Sequence, residues 1–451
     1  MSATDYGLIG HPLGHSLSPQ IHAALLAAAG LPGRYDLFDI RPDQLPDTVR
    51  RLGRETLGFN CTIPYKEKVM ELLDSLDPVA GRIRAVNTVW HNRGYNTDYD
   101  AFRRDCPLKP GDKVLILGAG GVSRTMAFAA ADSGCVISIA ARRPQQARDL
   151  ARAVREACPD ARITCPETLD AWRLETGSEA RWVVLNGTPV GLWPHVNEMP
   201  LAPDDLACCR FVYDTIYNPV ATRLVLTARS RGIRAKGGLG MLFGQALAAQ
   251  KIWNPKAVFP EPALARVRAA LEAEIWRQFP LTVLLSGFMG SGKSTVGCSL
   301  ARQMNLPFVD LDEQIEREAG KSIPDIFARD GEAAFRSLER KLLEQLVRKP
   351  ESKILATGGG ALTGPGIASV LEAAPVRVVY LDVAPDELLR RLGQGRGRPM
   401  LAGKTIGQWL VLYAERRPRY LDLADLVIDA APPAERVAST IKQSLGLEES
   451  L

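Results

Sequence analysis

Residues Leu281–Thr295 read LTVLLSGFMGSGKST. The apolar run Leu281–Leu285 predicts a short buried strand. Gly287 then opens the spacing G-x-x-x-x-G-K-[ST], which closes on Gly292, Lys293 and Ser294. A strand that turns through glycines into a helix points successive backbone N–H groups at phosphate oxygens. A chance glycine-rich turn needs neither the strand before it nor the helix formers after it. In such a loop the lysine bridges terminal phosphates and the following hydroxyl ligates Mg²⁺. Gly290, Ser291, Gly292, Lys293, Ser294 and Thr295 are therefore expected to hold ATP, with Ser294 on the metal side. A loop of this kind follows the first strand of its domain, so the residues ahead of it need a separate role.

Length supports that division. A chain of 451 residues is too long for one ordinary core and predicts two or three domains. Hydrophobic residues at 46% and charged residues at 24% describe a globular protein. A net charge of +5 without a Lys/Arg-rich tract argues for small anionic substrates and against nucleic acid. The eight cysteines are scattered without metal-ligand spacing, which predicts reduced thiols and a cytoplasmic location. The start lacks a signal-peptide pattern, and no apolar stretch is long enough to span a membrane. No feature of the sequence sets an oligomeric state.

In chain order, Tyr6–Gly10 reads as a strand, and HPLGHSLSP follows with Ser16 and Ser18 ahead of a helix near Pro19. Those hydroxyls suit helix caps as well as ligand contacts. GFNCTIPYK gathers Asn60, Thr62 and Lys66 at a strand end. AVNTV (Ala85–Val89) reads as a strand with Asn87 inside it, and GYNTDYDAF puts Asp98 at a helix mouth, where a plain cap is the simpler reading. Val114–Leu117, the turn GAGGVSR (Gly118–Arg124), a helix and the strand Val136–Ala140 then form a βαβ unit. Pyrophosphate is expected on that helix N-terminus. NAD sites carry an acid after the second strand, whereas Ala141, Arg142 and Arg143 stand here, which favours a 2′-phosphate and hence NADP. Further strands are expected at Trp182–Leu185 and Phe211–Asp214, and a glycine loop from Gly237 enters a helix that carries Gln245.

HSLSP, NCTIPYK, AVNT, NTD, GAGGVSR, NGTPVG, DTIYNP and GLGML..Q resemble, in this order, the motifs of shikimate dehydrogenases over roughly residues 5 to 272. The resemblance implies Lys66 and Asp98 as the catalytic pair. It implies substrate contacts from Ser16, Ser18, Thr62, Asn87, Asp98, Tyr217 and Gln245. It implies NADP contacts from Gly118, Gly120, Gly121, Val122, Ala141, Arg142, Arg143, Thr215, Gly238 and Met241. Cys61 and Tyr65 depart mildly from the family pattern, away from the chemistry. The chemistry agrees, because ketone reduction by a nicotinamide needs a proton donor and a charge at the carbonyl oxygen, and a Lys–Asp pair supplies both.

Past the phosphate loop, Pro307–Asp312 reads as a strand with Asp310 and Asp312 on one side of its tail. FRSLE places Arg336 and Glu339 three apart on a helix face, where they can pair. Gly358–Gly360 at a strand end means close backbone approach or a hinge. QGRGRPMLAG (Gln394–Gly403) suits a lid over phosphates. With ERRPRY, these motifs resemble shikimate kinases over about residues 281 to 445. The resemblance implies Lys293 and Asp312 as catalytic. It puts shikimate on Asp312, Arg336, Gly359 and Arg416, Mg²⁺ on Asp310, and lid arginines at Arg391 and Arg398. Asp382 sits where a Walker-B acid would be sought, although that family assigns it no such role.

The expectation is an α/β fusion. Residues 1–275 form a dehydrogenase-like part, with a substrate subdomain (about 1–105 and 238–275) and a Rossmann subdomain (about 106–237). A linker at 276–280 leads to a P-loop kinase domain with a parallel sheet at 281–451. Its substrates are 3-dehydroshikimate and shikimate, its cofactors NADP, ATP and Mg²⁺, with neither nucleic acid nor membrane as partner. The alternatives are an NAD-dependent quinate/shikimate dehydrogenase fused to the kinase, or one half decayed to a binding or regulatory module.

Overall fold

Short apolar runs separated by amphipathic stretches build three sheets among the described residues. The computed structural model describes residues 5–14, 16–176, 181–392 and 405–446. The first sheet contains β1 (Tyr6–Gly10), β2 (Tyr35–Asp39), β3 (Gly58–Cys61), β4 (Ser75–Leu76), β5 (Thr88–Trp90) and β6 (Arg93–Tyr95), in the order β2-β1-β3-β5-β6-β4. It is mixed: β1 pairs parallel with β2 and β3, while β3–β5 and β5–β6 are antiparallel. β1 is buried at every position, as a strand between two parallel neighbours must be. The expected strand at Ala85–Val89 starts only at Thr88, so Asn87 precedes it. Its backbone is still paired, with Asn87 N–H donating to the Tyr95 carbonyl and Cys61 N–H to the Asn87 carbonyl.

The second sheet contains β7 (Lys113–Leu117), β8 (Val136–Ala140), β9 (Arg162–Thr164), β10 (Trp182–Asn186), β11 (Cys209–Asp214) and β12 (Arg234–Lys236). Its order is β12-β11-β10-β7-β8-β9, and every pairing is parallel. The strand order reverses between β7 and β10, and in such sheets ligands lie at the carboxyl ends of the strands around that point. The helix Gly121–Asp132 buries Met126–Ala130 against Val114, Ile116, Ile137 and Val183.

The third sheet contains β13 (Thr282–Ser286), β14 (Phe308–Asp310), β15 (Lys353–Ala356), β16 (Val376–Asp382) and β17 (Leu426–Asp429), ordered β14-β15-β13-β16-β17 and wholly parallel. The helix Lys293–Met304 follows β13 directly across the glycine loop. The fold is therefore α/β, as the sequence implies.

The described chain packs into two units. One holds Met1–Pro189, Pro200–Val220 and Ile233–Glu274, with the first two sheets; the other holds Val190–Met199, Ala221–Gly232 and Ile275–Leu451, with the third. Inside the second unit Arg377 of β16 is fully buried and donates to the Val196 carbonyl (2.9 Å) and Asn197 Oδ1 (3.2 Å). Burial lowers its pKa to about 10, leaving a charge that these acceptors must solvate. No helix among the described residues is long and apolar enough to cross a membrane.

Candidate active sites

In the first unit, Lys66 Nζ donates to Asp98 Oδ2 at 2.6 Å, and both side chains are only partly exposed. Asp98 is free to do this because another residue caps its helix. Thr97–Asp105 begins after Asn96, whose side chain accepts from Tyr99 N–H at 3.1 Å. The simpler cap reading of Asp98 is thereby replaced. Asn87 fixes the same helix start: its Oδ1 accepts from Thr97 N–H (2.8 Å) and its amide donates to Thr97 Oγ1 (2.9 Å). Lys66 is held from the other side, because its carbonyl accepts from Val86 N–H at 2.8 Å.

Thr62 follows β3, its N–H donating to the Ile9 carbonyl. Ser16 Oγ accepts from Ser18 N–H at 3.3 Å. Ser18 opens the helix Ser18–Ala28 at a position where no side chain caps. Gln245 lies on the helix Leu239–Trp253, which approaches the Asp98 helix where Gly244 meets Ala101, and its amide donates to the Leu242 carbonyl. Tyr217 lies just past β11, and burial raises the pKa of its hydroxyl. Among the described residues the direct hydrogen bonds of Lys66, Asp98 and Asn87 reach neither Tyr217 nor Gln245.

The glycine turn sits at the carboxyl end of β7. Gly118 takes φ +95°, and its N–H donates to the Ala140 carbonyl at 2.7 Å, tying the turn to the end of β8. A Cβ on Gly120 or Gly121 would meet nothing within 4 Å, so that side of the turn is open. Val122 lies on the first turn of the helix Gly121–Asp132. Ser123 occupies the third glycine position of the motif, and close packing is preserved from the other side: a Cβ on Gly187 would come within 2.3 Å of Ser123 Oγ. Ala141 follows β8, and the side chains of Arg142 and Arg143 beside it are exposed with no hydrogen-bond or ion-pair partner among the described residues, although the Arg143 carbonyl accepts from Gln146 N–H. Arg124 is committed elsewhere, its Nε donating to the Ile83 carbonyl. Gly238 stands where any side chain would strike the Thr215 carbonyl, and Met241 is buried in the core of the second sheet.

In the second unit a cavity of about 1060 Å³ gathers Gly290, Ser291, Gly292, Lys293, Ser294, Thr295, Asp310, Asp312, Arg336, Gly359, Arg391 and Arg416. Lys293 Nζ donates to the Gly287 (2.9 Å) and Phe288 (3.1 Å) carbonyls. Ser294 Oγ donates to Asp310 Oδ2 at 2.6 Å. The two aspartates do not share a strand face as expected. β14 ends at Asp310, which caps the helix Leu311–Ala319 by accepting from Asp312 N–H at 3.0 Å, and Asp312 is already helical. Arg336 pairs with Glu339 at 2.7 Å, as the spacing predicts. Burial raises the Glu339 pKa, Arg336 opposing the rise and Asp312 adding to it. Arg416 Nη1 donates to the Gly359 carbonyl at 3.1 Å.

Gly358–Gly360 adopt none of the positive φ values seen in the phosphate loop, so space rather than hinging requires them. Added Cβ atoms would come within 2.9 Å of Asp312 Oδ1 and Glu339 Oε1 at Gly358, and within 2.6 Å of Arg336 Nη1 at Gly360. Arg391 stands on the helix Pro385–Leu392, not in a loop, and donates to Glu387 and to the carbonyls of Ala430 and Ala431. Arg398 and the whole expected lid, Gln394–Gly403, lie outside the described residues. Asp382 does not line the cavity: Arg417 (2.7 Å) and the Tyr380 hydroxyl (2.9 Å) occupy it.

A shikimate dehydrogenase (NADP(+)) of Moorella thermoacetica is 42% identical over 259 residues, spanning 55% of this chain and 86% of that protein. The chain belongs to the shikimate dehydrogenase family. Residues 8–89 match the family model of the shikimate dehydrogenase substrate binding domain. The shikimate 5-dehydrogenase of Thermus thermophilus, solved with NADP(H) and shikimate, is 31% identical with a TM-score of 0.51, covering 59% of this chain and 99% of that one. A chorismate mutase/shikimate 5-dehydrogenase fusion from Clostridium acetobutylicum is 30% identical with a TM-score of 0.52, covering 61% and 99%. Residues 289–446 match the shikimate kinase family model. The dehydrogenase is thus joined to a shikimate kinase domain, and the chain is a bifunctional enzyme of the shikimate pathway.

Beyond the expected residues, the kinase cavity is lined by Phe327, Phe335, Glu339, Thr357, Glu387, Arg390 and Ala430–Ala434. The Pro432-Pro433 pair is the one sequence signal for the last segment, as a turn that opens the helix Ala434–Leu445. In the dehydrogenase the missed residue is Thr97, whose backbone and hydroxyl both bond Asn87.

Proposed function

We propose that this chain reduces 3-dehydroshikimate to shikimate with NADPH and then phosphorylates shikimate to shikimate 3-phosphate with ATP. The observation that carries the first step is the Lys66–Asp98 pair. Lys66 would direct its ammonium at the carbonyl oxygen and give up a proton as the alcohol forms. Asp98 keeps the ammonium aimed, through the 2.6 Å bond it accepts. Bound NADPH would supply the hydride. Gly118, Gly120, Gly121 and Val122 fit the pyrophosphate, because the turn leaves that face open. Thr215, Gly238 and Met241 would border the nicotinamide side. Arg142 and Arg143, unpartnered beside Ala141, fit a 2′-phosphate. Ser16, Ser18, Thr62, Asn87, Tyr217 and Gln245 would hold the hydroxylated acid.

For the second step Arg336 and Arg416 suit the substrate carboxylate, with Gly359 leaving room for the ring, and Asp312 would accept the proton of the attacking hydroxyl. Gly290–Thr295 would cradle the ATP phosphates, with Lys293 leaving its loop carbonyls for the terminal phosphates. Ser294 and Asp310 fit Mg²⁺: two hard oxygens 2.6 Å apart on the phosphate side of the cavity match a metal that keeps most of its water. Mg²⁺ would neutralise phosphate charge. Arg391 and Arg398 would serve the nucleotide. All eight cysteines are free thiols, which supports a reducing, cytoplasmic setting. One coupled assay tests the whole: 3-dehydroshikimate, NADPH, ATP and Mg²⁺ should yield shikimate 3-phosphate. Shikimate that accumulates unphosphorylated, or unreacted 3-dehydroshikimate, would reject one half or the other.

A further inference from the structure

A buried polar chain lies behind the dehydrogenase site and none of its innermost members touches Lys66. Tyr35 opens β2, is 6% exposed, and donates its hydroxyl proton to Asn60 Oδ1 at 2.8 Å. Asn60, on β3, uses both amide protons, on the Asn87 carbonyl and on Thr88 Oγ1, each at 2.9 Å. The carbonyl at that end is acceptor-only, so the Asn60 amide can sit one way round, with its oxygen toward Tyr35. Asn87 in turn bonds Thr97, the residue before Asp98.

The Tyr35 ring is itself fixed. His22, fully buried, stacks on it at 4.2 Å and 4°. Gln250 Oε1 accepts from Asn254 (3.0 Å), so its amide donates to His22 Nδ1 (2.9 Å) and leaves His22 neutral with its proton on Nε2. Burial holds His22 neutral and keeps the Tyr35 hydroxyl protonated.

We infer that Tyr35 is a positioning residue of the dehydrogenase: through Asn60 and Asn87, its hydroxyl orients the helix start that carries Asp98. The inference rests on the proposed substrate roles of Asn87 and Asp98.

Tyr35→Phe keeps the stacked ring and removes only the hydroxyl. Leaving one buried acceptor without its donor predicts a rise in KM for shikimate of about tenfold. The kcat should stay within about threefold, KM for NADP within about twofold and the kinase reaction unchanged. A purely structural role would instead lower the active fraction, reducing kcat with KM for shikimate unmoved. In an Asn60→Ala background the same substitution should add less than about a twofold change, because the partner is already gone. Asn87→Ala is the control for the underlying assignment. If it raises KM for shikimate while Tyr35→Phe does not, the Tyr35 inference fails alone. If neither moves KM, the substrate assignment falls and the inference with it.

Discussion

Replacing Gly360 with alanine should damage shikimate binding by the kinase while leaving its fold intact. The backbone at Gly360 is outside the left-handed region, so alanine introduces no conformational strain. The added methyl would lie 2.6 Å from Arg336 Nη1, 2.8 Å from Nη2 and 3.0 Å from Cζ. These atoms end a flexible side chain, so the guanidinium moves instead of the backbone. Restoring ordinary contact at 3.4 Å demands a shift of at least 0.8 Å, the difference between 3.4 and 2.6 Å. Such a shift breaks the 2.7 Å bond to Glu339 and misaims the group proposed to hold the substrate carboxylate. Hydrogen bonds to charged groups contribute about 1.5–3 kcal/mol, so KM for shikimate should rise between about tenfold and 150-fold. The assay is steady-state phosphorylation with each substrate varied. KM for ATP should stay within about threefold, and dehydrogenase turnover should not change. Gly364→Ala is the matched control, since its methyl would meet nothing within 4 Å. An unchanged KM for shikimate, or a parallel loss of ATP affinity, would refute the reasoning.

Other outcomes are equally direct. Lys66→Ala should slow reduction by at least about 100-fold, read as NADPH oxidation, and spare phosphorylation. Near-normal reduction would remove Lys66 from the chemistry. Arg142→Asp should move preference from NADPH toward NADH, measured as the ratio of kcat/KM values, because Arg124 is already bonded to a carbonyl and only Arg143 remains to compensate. An unmoved ratio would place the phosphate elsewhere. His22 titrates near 6.5 when unfolded and about 3 when folded, so its contribution to stability is complete above 6.5 and is lost as pH falls toward 3. By about pH 5 some 2 kcal/mol of it should be gone, and urea unfolding of His22→Gln should show an acid limb flatter by about that amount. Parallel curves for the two proteins would count against a neutral buried imidazole.

Part of this was legible in residue order. β7 after Lys113 is a continuous apolar run and β8 is broken only by the buried Ser138, because a parallel strand with neighbours on both sides must bury both faces, and their predicted limits differ from the structure by a single residue. The pairing of Lys66 with Asp98 was not legible from spacing, since 32 residues separate them, and only the resemblance joined them. The sequence NTD offers two candidate caps, Asn96 and Asp98, and only the helix start decides that Asn96 caps and Asp98 stays free. Asn60 stands out in the sequence only as one polar residue beside Thr62 and Lys66, and Tyr35 reads as an ordinary strand residue, because a hydrogen bond between side chains of different strands leaves no period in either. Ala430–Ala434 lines the kinase cavity with small side chains and backbone, which carry no chemical signature.

The two glycine-rich loops of the kinase show what a run of glycines leaves open. In the phosphate loop Gly287, Gly290 and Gly292 take φ of +152°, +86° and +89°, so glycine is required there by backbone conformation. At Gly358–Gly360 the conformation is ordinary, and glycine is required because Asp312, Glu339, Met289 and Arg336 crowd the backbone. The sequence shows the same residue for both reasons, and the consequences of substitution differ. A side chain in the phosphate loop strains the chain itself and should cost stability. A side chain in the second loop displaces the functional groups around it and should cost affinity first. DxD has the same ambiguity in another form. Two acids two apart would face one way on a strand, but Asp310 ends the strand by capping the next helix, and that turn separates its carboxylate, bonded to Ser294, from that of Asp312. A carboxylate beside the phosphate loop and another near Arg336 and Glu339 can serve metal and substrate separately because the helix begins between them.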